Sequence, residues 1–330
     1  MNPLVFESYF RPQVWGGRGL QRYLGKPLPP EGAFGEAWEI SAQPLHVSRV
    51  AEGPLAGTLL TDLWAQRGAD LVGPNRPIGL EFPLLIKFLD CQDLLSIQVH
   101  PTDAIAQRLG VGNLGKTEAW VVLHAEPEGK IYAGLRPGVT PDELERRLDD
   151  GSAAECLHGF APKAGDCVFL PAGTVHAVGG GVIIAEVQQS SDVTFRLFDW
   201  NRVGADGKPR QLHRQQALAS INWAFGPVSP LAVHPLAGLP ATVRGEQLAD
   251  CEYFSIARYT WNAAPLDMPM AGRLSIWMVL QGTVELSSAD GGYRRTFQQG
   301  ETVMIPATAP ALRWTPGNSP VVLLAAGITG

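Results

Sequence analysis

Charge is scarce in this chain. Asp, Glu, Lys and Arg make up 18% of its 330 residues, below the roughly 25% usual for soluble domains. Neither sign dominates: 26 Lys and Arg face 32 Asp and Glu, a net charge of −6. That balance lacks the basic footprint of a nucleic-acid-binding protein. A few convergent basic side chains still suffice to hold an anion in a pocket. Cysteine is scarce too. Cys91, Cys156, Cys167 and Cys251 are scattered, with no C-x-x-C pair, which excludes a disulfide-dense scaffold. Cys91 and Cys167 lie in apolar runs and read as reduced core residues. No run approaches 18 apolar residues, so no membrane-spanning helix is expected. Glu7 and Arg11 interrupt the beginning of the chain, and no signal peptide is expected. A reducing cytoplasm fits best.

What is abundant is turn chemistry. There are 37 glycines and 27 prolines, about 19% of residues against about 12% on average. With 45% hydrophobic residues, disorder does not explain the excess, and many short strands joined by tight turns do. Helical signals are few: 58–72, 102–109, 140–150 and 211–223. Thr140-Pro141-Asp142-Glu143 forms a capping box that opens the third, and Gly151 ends it. Short apolar runs at 83–89, 95–100, 119–123, 167–170, 182–187, 194–198, 275–280, 283–286 and 302–305 read as strands.

An internal repeat divides the chain. Gly165 to His176 has the form G-x5-P-x-G-x2-H, and Gly300 to Pro306 repeats G-x5-P in the same register. Upstream, Trp120-Val-Val-Leu matches Trp277-Met-Val-Leu. Ala311 stands where the first copy has His176, so the second copy has lost a ligand there. The first pattern is a signature of the cupins, small jelly-roll barrels with metals in their mouths. The expected fold is mainly β: two cupin-like barrels with a few short helices, the second lacking metal ligands. Residues 1–205 form the metal-binding domain, 206–240 a helical and loop connection, and 241–330 the degenerate copy.

Ser96-Ile97-Gln98-Val99-His100-Pro101 is the most informative stretch. Side chains two apart share a strand face, so Ser96, Gln98 and His100 point one way, as do Lys116 and Glu118 further on. Gln98, His100, Glu118 and His176 make an N2O2 set suited to Zn²⁺ or Fe²⁺. One carboxylate leaves such a centre net positive, which favours an anionic substrate or intermediate. Arg196, in an apolar strand, needs an anionic partner, either Glu186 or Asp192 internally or charge on a substrate. Lys87, alone in an apolar run, poses the same question and suggests phosphate.

These motifs, in order from Trp15-Gly-Gly, Gly35-Glu-Ala-Trp38-Glu-Ile-Ser41, Glu81 to Lys87, Ser96 to Pro101 and Gly115-Lys-Thr-Glu118 to Pro171 to His176 and Phe195-Arg-Leu-Phe-Asp199-Trp, resemble the type I mannose-6-phosphate isomerases of short bacterial form. The resemblance covers nearly the whole chain. It implies a zinc-dependent aldose–ketose isomerase acting on a sugar phosphate, with one zinc on Gln98, His100, Glu118 and His176. It also implies Arg196 and Lys116 in catalysis, Ser96 and, less directly, Lys87 at the phosphate, and Glu186 as a site carboxylate. The large helical insertion of the longer eukaryotic form is missing. Moving a carbonyl between C1 and C2 takes a proton off one carbon and returns it to the other through an enediol(ate). Glu186 and Lys116 are candidate bases, and a metal-bound water is a further candidate to shuttle the proton. A cupin dioxygenase using the His100, Glu118, His176 triad and a non-catalytic sugar-binding cupin are the competing readings.

Overall fold

Side-chain alternation builds the layers of this molecule, seen in a computed structural model that describes all residues except 75, 77, 205, 206 and 330. Along the strand Leu84–Cys91, Leu84, Ile86 and Phe88 join one core while Lys87 and Leu89 face a polar cavity on the other side. Glu118–Ala125 divides likewise, with Ala119 and Val121 against Trp120 and Val122. Val182–Gln189 places Ile183, Ala185 and Val187 opposite Ile184 and Glu186. Successive residues of a strand face opposite ways, so each of these strands is apolar on one face and mixed on the other.

These strands lie in a six-stranded antiparallel sheet ordered Tyr9–Gly17, Phe34–Ile40, Leu84–Cys91, Val182–Gln189, Glu118–Ala125 and Cys167–Leu170. A five-stranded sheet runs Phe195–Phe198, Ile97–Val99, His176–Gly179, Lys130–Leu135 and Leu157–Phe160. Ile97, Val99, Ala177, Phe195 and Leu197 on its outer face pack with Leu144 and Leu148 of the helix Pro141–Asp150 and Ala217 of the helix Arg214–Ser220. Its other face carries Gln98, His176 and Arg196.

The later part of the chain repeats the plan. One sheet runs His234–Pro235, Arg244–Asp250, Phe254–Trp261, Val321–Ile328, Ser275–Gln281 and Thr302–Ile305, and another Leu266–Asp267, Leu312–Pro316, Thr283–Ser288 and Arg294–Gln298. The sequence repeat reappears in the pairing register. Trp120 sits opposite Val168, and Trp277 opposite Val303. The Gly165 N–H donates to the Val122 carbonyl at 2.8 Å, and the Gly300 N–H to the Val279 carbonyl at 2.8 Å. Trp277, Trp314, Phe297, Leu286 and Val303 fill the core of the second sheet pair. The outward faces of the two six-stranded sheets share one core, in which Ile86, Phe88, Val121 and Ala185 meet Phe254, Ile256, Met278 and Leu324.

The protein is therefore mainly β with few helices, and no helix is long and apolar enough to cross a membrane. All four cysteines are free. The expected helix at 211–223 shortens to Arg214–Ser220, because tertiary hydrogen bonds claim both its ends. The His213 N–H donates to the Arg196 carbonyl at 2.8 Å, and the Asn222 N–H to the Gly173 carbonyl at 3.0 Å. Thr140 caps Pro141–Asp150 by accepting the Glu143 N–H at 3.2 Å. The Glu143 carboxylate turns instead to Arg147, so the capping contact is one-sided. Tyr9–Gly17 and Phe34–Ile40 went unanticipated. The first carries Pro12 and register shifts beside it, and the second is buried on both faces, so neither shows a clean alternation.

Candidate active site

The two sheets of the first pair bring the sequence-predicted donors together. Gln98 lies between His176 and Arg196 in the five-stranded sheet, directly opposite each. Glu118 reaches the same space from the six-stranded sheet, and His100 follows the end of Ile97–Val99. His100, Glu118 and His176 are buried, and their ligand atoms all lie within 4.8 Å of one another.

Backbone carbonyls fix both histidine tautomers. His100 Nδ1 is 2.8 Å from the Val193 carbonyl and His176 Nδ1 is 2.8 Å from the Thr174 carbonyl. A carbonyl only accepts, so each Nδ1 carries the proton and each Nε2 presents a lone pair. Those Nε2 atoms lie 3.5 and 3.3 Å from the Glu118 carboxylate. Burial pushes His100 well below the ordinary imidazole value, helped by the Lys116 charge. Burial lowers His176 to about 4. Both rings are thus neutral near pH 7, the form that binds metals.

Neither Glu118 oxygen receives a well-angled hydrogen bond, although Lys116 Nζ stands 2.7 Å from one of them and 3.1 Å from His100 Nε2. Two lone pairs and an under-satisfied buried carboxylate, with a cationic group drawn against them, are a donor set that fits a divalent ion. Gln98 presents its amide nitrogen 3.2 Å from His176 Nε2, and the Ser96 hydroxyl donates to its oxygen at 3.2 Å. Half a rotation of that amide turns the oxygen toward the set.

Beside this cluster opens a cavity of about 160 Å³ lined by Ser96, Gln98, Lys116, Lys87, Glu186 and Arg196, among others. Lys87 and Glu186 are direct cross-strand neighbours. Lys87 Nζ lies 3.5 Å from each of Glu36, Glu186 and Asp192. Burial alone would lower its pKa, but these carboxylates outweigh it and raise the value. Trp120 donates to Glu186 at 2.9 Å and Trp38 to Glu36 at 2.6 Å. Arg11 bridges Asp192 at 3.1 Å and Glu36 at 3.5 Å.

Arg196 differs from these paired charges. Neither internal partner weighed from the sequence is taken up: among the described residues its guanidinium forms no ion pair, and its buried Nε has no acceptor. Burial lowers its pKa, and the nearby charge of Arg210 lowers it further. All nine sequence-predicted residues therefore belong to the cluster or to the cavity beside it. Sequence reasoning missed Glu36, Arg11 and Arg210 as cavity residues. Glu36 had a partial signal, a carboxylate set among Phe34, Ala37, Trp38 and Ile40 in a stretch that also holds Glu39; Arg11 and Arg210 had none short of the fold.

The geometry defines a class: a mainly β protein with a buried two-histidine, one-carboxylate metal-type set facing a strongly charged cavity. Comparison with known proteins narrows it. Residues 4–125 match the family model of the phosphomannose isomerase type I catalytic domain. A mannose-6-phosphate isomerase of Bacillus subtilis is 33% identical over 306 residues, 92% of this chain and 93% of that one. One from Streptococcus mutans is 34% identical over 307 residues, 93% of each chain. The crystal structure of a Bacillus subtilis mannose 6-phosphate isomerase superposes with a TM-score of 0.89 at 29% identity, covering 99% of this chain and 100% of that one. The chain belongs to the type I phosphomannose isomerase family and is an aldose–ketose isomerase.

Proposed function

We propose that this enzyme interconverts mannose 6-phosphate and fructose 6-phosphate, with one Zn²⁺ held by Gln98, His100, Glu118 and His176. The observation that carries the reading is the neutral His100/Glu118/His176 set with both Nε2 atoms aimed inward. Its nitrogen and oxygen donors, without thiolate, suit zinc. When bound there, a divalent ion supplies a Lewis acid against negative charge developing on the sugar oxygens.

The chain's own residues do the rest. Arg196 is permanently cationic and lies opposite Gln98. It stabilises the enediolate charge as it develops, and that charge completes its missing ion pair. Glu186 and Lys116 are the two groups placed to move the proton between C1 and C2. Trp120 orients Glu186 through a hydrogen bond, and Glu118 holds Lys116 at the cluster. The wall of Trp120, Trp15 and Leu95 beside them limits water at the reacting carbons. Lys87 and Ser96 are the phosphate residues expected from the sequence. The geometry supports other work for both, since Lys87 is matched by three carboxylates and Ser96 donates to Gln98.

We read the two sheet pairs as cupin-like barrels at 1–205 and 241–330, joined by 206–240. Trp277, Trp314 and Phe297 fill the second. The free cysteines accord with a reducing cytoplasm. Against the dioxygenase reading stands the Lys116 ammonium, which touches two of the three triad residues and suits an anionic substrate better than dioxygen. The test is turnover of mannose 6-phosphate before and after chelation. Activity should vanish with the metal, return with Zn²⁺, and consume no oxygen. Full turnover by metal-free protein, or oxygen uptake, refutes the proposal.

A further inference from the structure

Charge is unevenly spent around the cavity. Arg11 and Lys87 face three carboxylates, Glu36, Glu186 and Asp192, leaving a surplus negative charge around Lys87. Lys116 and Glu118 cancel each other. Elsewhere on the lining stand Arg196, which forms no ion pair among the described residues, and Arg210, which shares the single carboxylate of Asp199 with Arg202. Arg210 binds Asp199 through two guanidinium nitrogens, at 2.8 and 2.5 Å, and Arg202 does so at 2.7 Å. Among the described residues, Arg202 and Arg210 against Asp199 leave one positive charge there, close enough to Arg196 for Arg210 to lower its pKa. A phosphate monoester carries about −1.5 to −2 at pH 7, so it is drawn to the surplus at Arg210 and repelled by the three carboxylates around Lys87.

Arg210 is also oriented by its two hydrogen bonds to Asp199. Asp199 follows directly on Phe195–Phe198, the strand that carries Arg196. The turn after it places Trp200 and Asn201 at φ of 56° and 55°, a backbone region that side chains other than glycine rarely adopt. Trp200 anchors that turn by donating to the Leu95 carbonyl at 2.7 Å. Strain kept at such a position accords with a functional constraint. An arginine already oriented by a carboxylate loses less freedom on meeting an oxyanion.

We propose that Arg210 receives the phosphate group of the substrate, with Asp199 as its positioning residue and Arg202 sharing the Asp199 charge. This gives the phosphate to a side chain other than Lys87 and leaves Arg196, opposite Gln98, for charge developing on the sugar. It rests on the isomerase reading, so the experiment separates the two. Wild-type turnover of mannose 6-phosphate and its dependence on metal report on the reaction. Binding of inorganic phosphate to metal-loaded wild type and Arg210→Met, by calorimetry, reports on the arginine alone. Losing a charged hydrogen-bonding partner should weaken phosphate binding and raise KM for the sugar phosphate by roughly 10- to 100-fold. kcat should stay within about threefold, as for uniform binding. Arg210→Lys keeps the charge but not the fork; it should fold and show a smaller rise in KM. Asp199→Asn should raise KM in the same sense. Unchanged phosphate affinity and KM in the Arg210 variants, or a loss confined to kcat, overturns the proposal.

Discussion

Replacing Lys87 by Met tests the electrostatic design of the cavity. The substitution roughly conserves the aliphatic stem and removes only the ammonium. It leaves Glu36 and Glu186, both about 95% buried or more, and the partly exposed Asp192, facing one another with Arg11 as their remaining basic partner. Breaking a buried ion pair by removing one partner typically costs about 3–5 kcal/mol. At about 2–4 °C per kcal/mol for a domain of this size, Tm should fall by roughly 6–20 °C. Urea unfolding of wild type and Lys87→Met, compared over pH, is the assay. Burial would raise the Asp192 carboxyl, but Lys87 and then Arg11 overcome it and hold it below the ordinary range. Its contribution is thus present above the unfolded value of about 3.9 and is lost as pH falls through the lower folded value. Lys87 itself is raised, so its contribution is full below about 10.4 and is lost only at higher pH. The gap between wild type and variant should therefore hold between about pH 5 and 10 and close on acidification. A gap under about 1 kcal/mol at neutral pH, or one that widens in acid, refutes the reasoning.

Other outcomes follow from the same geometry. His176→Ala should lose stoichiometric metal and activity together, read by elemental analysis and turnover; retained metal rejects it as a ligand. Arg196→Ala should keep fold and metal yet lower kcat by orders of magnitude, about 10²–10³ if it acts as an electrostatic stabiliser. A near-normal kcat would move it to a structural role. Gly300→Ala should destabilise the protein by about 2 kcal/mol or more in urea unfolding, since φ there is +85° and a Cβ would meet the Leu24 carbonyl oxygen at 2.1 Å. Unchanged stability would mean that this turn relaxes freely.

Much of the site was legible in the sequence because it obeys local rules. Ser96, Gln98 and His100 are two apart on one strand, and Lys116 and Glu118 are two apart at the start of another. The G-x5-P repeat fixed a turn and a strand in both copies. What local rules did not show was pairing at long range. Glu36 meets Lys87 only because Phe34–Ile40 and Leu84–Cys91 are neighbours in the sheet, 51 residues apart in the pairing of Ala37 with Phe88. Arg210 reaches the cavity through Asp199, from a polar loop with no periodicity. The short helix Arg214–Ser220 lost its predicted ends to hydrogen bonds with distant turns, which propensity does not encode.

The shared core between the two six-stranded sheets has a consequence for how this gene product can change. The wall that carries Lys87, Glu118 and Glu186 is never a solvent-facing layer; its back is covered by the second sheet pair. Cutting the chain after residue 240 would strip that cover and expose Ile86, Phe88 and Val121 to water, so the first sheet pair is not a portable module. The second copy is therefore free on one face and bound on the other. Its interior can fill with Trp277 and Trp314 without altering the buried cluster of the first pair, while Phe254, Ile256 and Met278 stay tied to a wall whose far face they never contact.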